Sequence, residues 1–280
     1  MMNSVIWARF FAQFQCFPKE KMNQIVGILM CVGFVMSSSM ASAVVVLPEF
    51  HPGQNQSVKT DKTKILINVP ARKLWLLDRA GRLLREYPVG VGRPQFPTPE
   101  GEFSVIRMVK NPGFENPYKA KGASRIAPGS NNPLGTRWIG FKATAQGEYG
   151  MHGTNRPQSV GQLSSHGCVR MYVKDAEDLF ERVTFGTPVT VSYDRTVVKT
   201  RGNAVVMTFA PNSFGTAGAS EDDVSEAIRA YFPEARLDGD VLNKALETSS
   251  LQQRIIGTVP DPQAYDKKVE TSVSGVIKLD

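Results

Sequence analysis

Short apolar runs separated by turn residues set the character of the central chain. Ile65-Leu66-Ile67-Asn68-Val69 stops at Pro70, Leu74 to Leu77 follows, and Leu83 to Val89 resumes after Asp78-Arg79-Ala80-Gly81. Runs this short, rich in β-favouring residues and split by turn chemistry, predict strands and here a hairpin. Phe103 to Val109 reads as one further strand, Thr136 to Phe141 as another, and Glu148 to His152 as a strand ending at an imidazole. The period then changes. Ala176, Leu179, Phe180 and Val183 keep helical spacing, Asp175, Glu177 and Asp178 load the first turn, and Gly186 marks the stop. Pro188 to Tyr193 returns to strand character. Residues 111–133 hold four prolines, three glycines and four asparagines. A loop that long in a compact domain usually serves a function, and a cover over a cleft is the expected one.

The two ends read differently. Beyond Asp194, Ala204 to Phe209 predicts a strand, and Ser220-Glu221-Asp222-Asp223 has the form of a capping box. The helix it opens runs through Val224, Ala227, Ile228 and Tyr231 to a halt at Pro233. A second short helix near 241–246 and a strand at Ile255-Ile256 complete a small α+β appendage over 194–280. At the other end, Lys19-Glu20-Lys21-Met22 precedes an apolar run from Ile25 to Met36 and then Ala41-Ser42-Ala43. A basic flank, a short apolar core and an Ala-x-Ala exit predict an export signal over 1–43, with Met22 standing where such a signal would begin. The run is too short to span a bilayer comfortably. Met30, before Cys31, is too bulky for a lipoprotein cleavage site, so a freely diffusing protein of the periplasm or cell wall is expected. Residues 44–62, with Pro48 and His51-Pro52-Gly53, read as an irregular tether to a main domain over 63–193.

Composition changes this picture little. The chain has 280 residues, 41% hydrophobic and 21% charged, which is ordinary globular usage. Its formal net charge of +7 is spread without a Lys/Arg cluster interleaved with aromatics, so nucleic acid is not an expected partner. A basic exported protein suits an anionic wall or membrane surface, although a solvated basic surface explains the charge equally well.

The candidate chemistry is concentrated. Of three histidines and three cysteines, His152, His166 and Cys168 fall within one window, Tyr149-Gly150-Met151-His152-Gly153 and Ser164-Ser165-His166-Gly167-Cys168-Val169-Arg170. Signal cleavage would remove Cys16 and Cys31, leaving one thiol and no intramolecular disulfide. A lone Cys beside His and Gly in an oxidising compartment suggests a nucleophile, because imidazole is the usual means of activating a thiol and a preceding Gly lets the chain turn and present amides to an oxyanion. The chemistry indicated is acyl transfer through a thioester. His152, at a strand end before Gly153, is the candidate base. His166, two positions before the thiol, shares its face in an extended chain, and base, oxyanion and structural roles are all open to it. Zinc is disfavoured by the absence of a second Cys and of CxxC or HExxH spacing, and a serine nucleophile by the absence of G-x-S-x-G. No cofactor is expected.

The spaced pair His152-Gly153 and Ser165-His166-Gly167-Cys168-Val169-Arg170 resembles the signature of the YkuD-type L,D-transpeptidases. Pro88-Val89-Gly90-Val91-Gly92, Thr98-Pro99-Glu100-Gly101-Glu102-Phe103 and Asn132-Pro133-Leu134-Gly135 match as well, so the resemblance covers roughly 63–193. Many members have Asn where this chain has Arg170. The resemblance implies a mainly β fold, a β-sandwich of mixed sheets with the catalytic segment at one edge under a loop. It also implies roles: Cys168 as nucleophile, His152 as base, Gly153 orienting the imidazole by its carbonyl, and His166 with the amides of Gly167 and Cys168 at the oxyanion. Arg170 would hold a substrate carboxylate, and Ser165, Tyr149 and Met151 would line the substrate beside it. The partners it implies are peptidoglycan stem peptides, an amine acceptor that includes an amine-bearing wall protein, and a carbapenem as covalent inhibitor.

Overall fold

The computed structural model describes residues 44–47, 63–79, 81–115, 125–145 and 147–261, within the unit Ala41–Asp280. The strands are β1 (Val44–Leu47), β2 (Thr63–Asn68), β3 (Lys73–Asp78), β4 (Leu83–Pro88), β5 (Val91–Gly92) and β6 (Gly101–Ser104). Next come β7 (Arg107–Lys110), β8 (Phe114–Glu115), β9 (Arg125–Ile126), β10 (Arg137–Thr144), β11 (Gly147–Gly153), β12 (Leu163–Ser165) and β13 (Val169–Met171). Helix α1 (Val173–Arg182) precedes β14 (Pro188–Ser192), β15 (Thr196–Arg201) and β16 (Ala204–Phe209). Helix α2 (Glu221–Tyr231), β17 (Arg236–Leu237), α3 (Gly239–Glu247) and β18 (Ser250–Thr258) end the described chain.

These strands form three main sheets, ordered β4-β3-β2-β14-β6, β13-β11-β10-β7 and β1-β15-β16-β18-β17, and two ribbons, β5-β12 and β8-β9. All three are mixed: β14 runs parallel to β2 and antiparallel to β6, β11 parallel to β13 and antiparallel to β10, and β15 parallel to β1 and antiparallel to β16. The mainly β, mixed-sheet expectation holds.

Alternation along single strands sets the layering. In β3, Leu74 and Leu76 join the core between the first two sheets, with Ile65, Ile67, Ile139, Met151, Val169, Met171 and the α1 residues Ala176 and Leu179. Trp75 and Leu77, pointing the other way, pack with Leu47 and Val197 of the third sheet. The third sheet repeats the device: Val198, Met207 and Ile256 face Val224 and Ile228 of α2 and Leu242 of α3. The result is three sheet layers with a helical layer outside them. Ser220 caps α2 as predicted, accepting from the Asp223 N–H at 3.2 Å while the Asp223 carboxylate accepts from the Ser220 N–H at 2.8 Å.

Two expectations are corrected. Residues 44–47 are not part of an irregular tether: β1 pairs in parallel with β15, Val44 opposite Thr196 through Leu47 opposite Lys199, so the third sheet draws on both ends of the chain. Phe103 to Val109 is not one strand. The Val105 N–H donates to Thr187 O at 2.8 Å and the Ile106 N–H to Gly140 O at 2.9 Å, so the chain crosses there from the first sheet to the second. The export signal, residues 48–62 and the centre of the 111–133 loop, 116–124, lie outside the described residues.

A polar cluster joins the first and third sheets. Glu86 of β4 accepts from Lys199 of β15 at 2.5 Å, Lys73 at 2.8 Å and the Trp75 indole N–H at 2.9 Å. Burial alone would raise the Glu86 pKa, but the hydrogen bonds from Lys199 and Lys73, the Lys199 charge and the Trp75 N–H bring it down to about 2. A folded-state pKa below the unfolded one stabilises the fold above the unfolded value, and that stabilisation is lost as pH falls through the folded value. After discounting for partial exposure it is on the order of 1–2 kcal/mol. Glu86→Gln is therefore expected to lower the melting temperature at pH 7, with the gap to wild type closing between pH 4.5 and 2 in calorimetric scans.

Candidate active site

Strand β11 brings the candidate residues together. On one side its antiparallel pairing with β10 sets His152 opposite Trp138, and on the other its parallel pairing with β13 sets His152 opposite Arg170. Met151 and Val169, also paired, are fully buried in the core. Successive strand residues face opposite sides, so His152 and Arg170 share the face turned away from that core. Cys168 enters just before β13, where its S–H points at the Glu148 carbonyl, 3.8 Å away, and the Gly150 amide reaches its sulfur.

The imidazole of His152 is buried and held by two contacts. It is 5% exposed and stacks on the Trp138 indole, ring centroids 5.6 Å apart and planes 22° from parallel. Its Nδ1 lies 2.5 Å from the Gly153 carbonyl. A carbonyl only accepts, so Nδ1 carries the proton and Nε2 is left as the ring's proton acceptor. Burial, reinforced by the Arg170 charge and only partly opposed by the Gly153 bond, lowers its pKa to about 4. Burial likewise pushes the Cys168 thiol up, against the Gly150 amide and the Arg170 charge, with the Glu148 charge adding to the rise. Both shifts favour a neutral thiol and a neutral imidazole at pH 7.

A tight turn delivers the thiol. Gly167 has φ +108°, and a Cβ there would sit 2.5 Å from Cε1 of the Tyr149 ring, so only glycine fits. The buried Ser165 hydroxyl ties this turn, accepting from the Gly167 N–H at 3.0 Å and donating to the Cys168 carbonyl at 2.6 Å. His166 is exposed beside it. Its Nε2 accepts from Arg93 at 2.7 Å, and its ring lies 4.7 Å from Phe96, over which the Arg93 guanidinium also sits. Arg170 is fixed by its backbone, its N–H donating to Gly90 O at 2.7 Å and its carbonyl accepting from the Gly90 N–H at 2.8 Å. Its Nη1 lies 3.5 Å from Ser164 Oγ.

Known proteins can now be set beside this geometry. Residues 62–191 match the family model of the YkuD L,D-transpeptidase catalytic domain. Over those residues this chain is similar to the YkuD family. YqjB of Bacillus subtilis, which bears an L,D-transpeptidase name, is 44% identical over 110 residues, 39% of this chain and 59% of its own. YkuD of the same organism, named likewise, is 34% identical over 128 residues, 46% of this chain and 65% of its own. This chain therefore spans less than two thirds of either relative. Among solved structures, L,D-transpeptidase 3 of Mycobacterium tuberculosis with a faropenem-derived adduct is 19% identical, with TM-score 0.38 over 47% of this chain and 60% of that one.

Within the YkuD segment, three expected roles are revised. Met151 is a core residue and does not line the substrate. The Ser165 hydroxyl is buried and engaged twice within the turn, so it positions the turn and touches no substrate. The Gly167 amide, assigned to the oxyanion, is engaged by Ser165. Tyr149 is half-buried, its ring walling the turn at Gly167. Sequence reasoning missed Trp138, which stacks on His152, and Arg93, which holds His166. Trp138 had one signal, an aromatic in the strand running beside His152; Arg93, in a Gly-Arg-Pro turn, had none.

Proposed function

We propose that this protein is a peptidoglycan L,D-transpeptidase with Cys168 as nucleophile and His152 as general base. The observation that carries the reading is the tautomer of His152: Nδ1–H is committed to Gly153 O, leaving a neutral Nε2 on a residue that shares its sheet face with Arg170, two positions after Cys168. In the first half-reaction Nε2 takes the Cys168 proton as sulfur attacks the carbonyl between the stem's diamino acid and its terminal D-Ala. The imidazolium returns that proton to the departing D-Ala amine, and a thioester remains. In the second, an amine of another stem or of a wall protein attacks the thioester, gives its proton to His152, and the thiol is restored. The thioester conserves the bond energy, so no nucleotide is consumed. The site of action is the wall outside the plasma membrane, consistent with the export-signal pattern of residues 1–43.

Purified protein incubated with disaccharide–tetrapeptide and analysed by intact mass is expected to gain the donor less D-Ala on Cys168, and the products to contain new cross-links. A carbapenem, as the family resemblance implies, should acylate the same sulfur. Cys168→Ala should abolish both adducts and keep the wild-type circular dichroism. Shortened stems without cross-links would make water the acceptor, and an unmodified wild-type protein would remove the assignment.

A further inference from the structure

Along β11 every second residue shares the face that carries His152, so Glu148, Gly150 and His152 lie in one row. The middle one has no side chain. Trp138, opposite His152 in β10, lays its indole across that gap. At one end the indole stacks on the His152 ring; at the other its Nε1–H donates to Glu148 Oε1 at 2.9 Å. Two glycines make the room. A Cβ on Gly150 would sit 2.7 Å from Cζ2 and 2.9 Å from Cε2 of the indole, and one on Gly140, paired with Gly150, would collide with the Glu148 carboxylate. Neither glycine has a positive φ, so space and not backbone conformation is what excludes a side chain there.

Glu148 meets the nucleophile as well, through its backbone: its carbonyl faces the Cys168 S–H, and the Gly150 amide reaches the same sulfur. Its side chain is only 19% exposed and is met by Arg107 of β7 at 3.4 Å. Withdrawing a carboxylate from water is costly unless hydrogen bonds offset it, and the shorter bond made here fixes a ring that lies on His152. A tryptophan that only filled space would need neither that carboxylate nor two cleared positions.

We propose that Trp138 and Glu148 are positioning residues for acyl transfer: the carboxylate holds the indole in place, and the indole sets the plane of the His152 ring and keeps water from it. This rests on the acyl-transfer reading above and adds what holds its base. The charged groups facing the arrangement are Arg170 of β13, which acts on both His152 and Cys168, Glu148, which acts on Cys168, and Arg107, which pairs with Glu148. The thiol turn adds the Tyr149 phenol beside Gly167 and the bonded pair His166 and Arg93. Gly153 is closed by Val173 and the Gly135 backbone, which carry no charge. Burial is the first cause of the low His152 pKa, so removing the indole should return it toward the ordinary value.

The test follows acylation of Cys168 by disaccharide–tetrapeptide, by intact mass across acid to alkaline pH, with melting curves reporting folding. Trp138→Leu should lose roughly tenfold at saturating donor, less than a misplacement of about 1 Å costs, with half-saturation unchanged. Its acid limb should move from about 4 toward 6.5. Trp138→Phe keeps a ring against His152, so the acid limb should stay low and most of the rate return. Glu148→Gln keeps an acceptor for the indole and should hold the acid limb, while the alkaline limb moves down because the charge that raises the thiol is gone. Glu148→Leu gives up the acceptor too and should shift the acid limb in the direction of Trp138→Leu; it decides the matter if Trp138→Leu does not fold. An acid limb that stays near 4 in folded Trp138→Leu, whatever its rate, would overturn the proposal and leave the acyl-transfer reading standing. So would Glu148→Leu matching the wild type in rate and in both limbs. No adduct on the wild type would remove the acyl-transfer reading and this proposal with it.

Discussion

His152→Gln is expected to slow acylation of Cys168 by about 10²–10⁴-fold, the usual contribution of a positioned general base. Glutamine keeps a donor near the Gly153 carbonyl and a similar volume against Trp138, so the loss reports chemistry more than packing. The wild-type pH profile carries the same argument. Burial holds the imidazole neutral down to about pH 4, and only the neutral ring can take the thiol proton. Activity should therefore rise through about pH 4 and be level well before pH 6.5, where an ordinary histidine would still be titrating. The Cys168 thiol, raised by burial, places the opposite limb above the usual thiol range. The variant should lack the acid limb. A wild-type limb remaining near 6.5 would mean that the imidazole is solvated or paired during turnover, and the neutral-pair mechanism would fail.

Where local pattern and tertiary contact agree, the sequence is readable. The hairpin of β3 and β4, strands β10 and β14, the spacing of α1 and the capping box of α2 are all local signals, and all appear as read. Strand β1 was unreadable because four apolar residues gain their meaning only from Thr196–Lys199, some 150 positions later. The run from Phe103 to Val109, apolar but for Ser104 and Arg107, carries no mark of the point where it leaves one sheet for another, since both halves bury side chains. Met151 is a different case. It neighbours His152 in a strand, so alternation alone assigns it to the core once His152 is placed at the site; the information was in the chain. Ser165 needed the structure, because a serine beside a nucleophile looks the same in sequence whether its hydroxyl faces substrate or closes the turn.

Gly167→Ala should disable the site while sparing most of the fold. Two costs combine at this position. A backbone φ of +108° is strained for any residue with a Cβ, at about 1–3 kcal/mol. The added methyl would also sit 2.5 Å from Cε1 of Tyr149 and 3.1 Å from Pro97 O, an overpacking worth about 1–3 kcal/mol. The turn relieves both by moving, and what it moves is Cys168 together with the Ser165 bonds that hold it. A thiol displaced by about 1 Å is expected to cost about 10²-fold in acylation. Denaturant titration of Gly167→Ala, Tyr149→Ala and the double variant separates the two costs. Trimming the ring removes the clash, so the double variant should be more stable than the sum of the singles by about 1–2 kcal/mol. It leaves the dihedral strain in place, so acylation should remain depressed. If Gly167→Ala instead melts with the wild type and acylates at its rate, the turn is not what presents the sulfur.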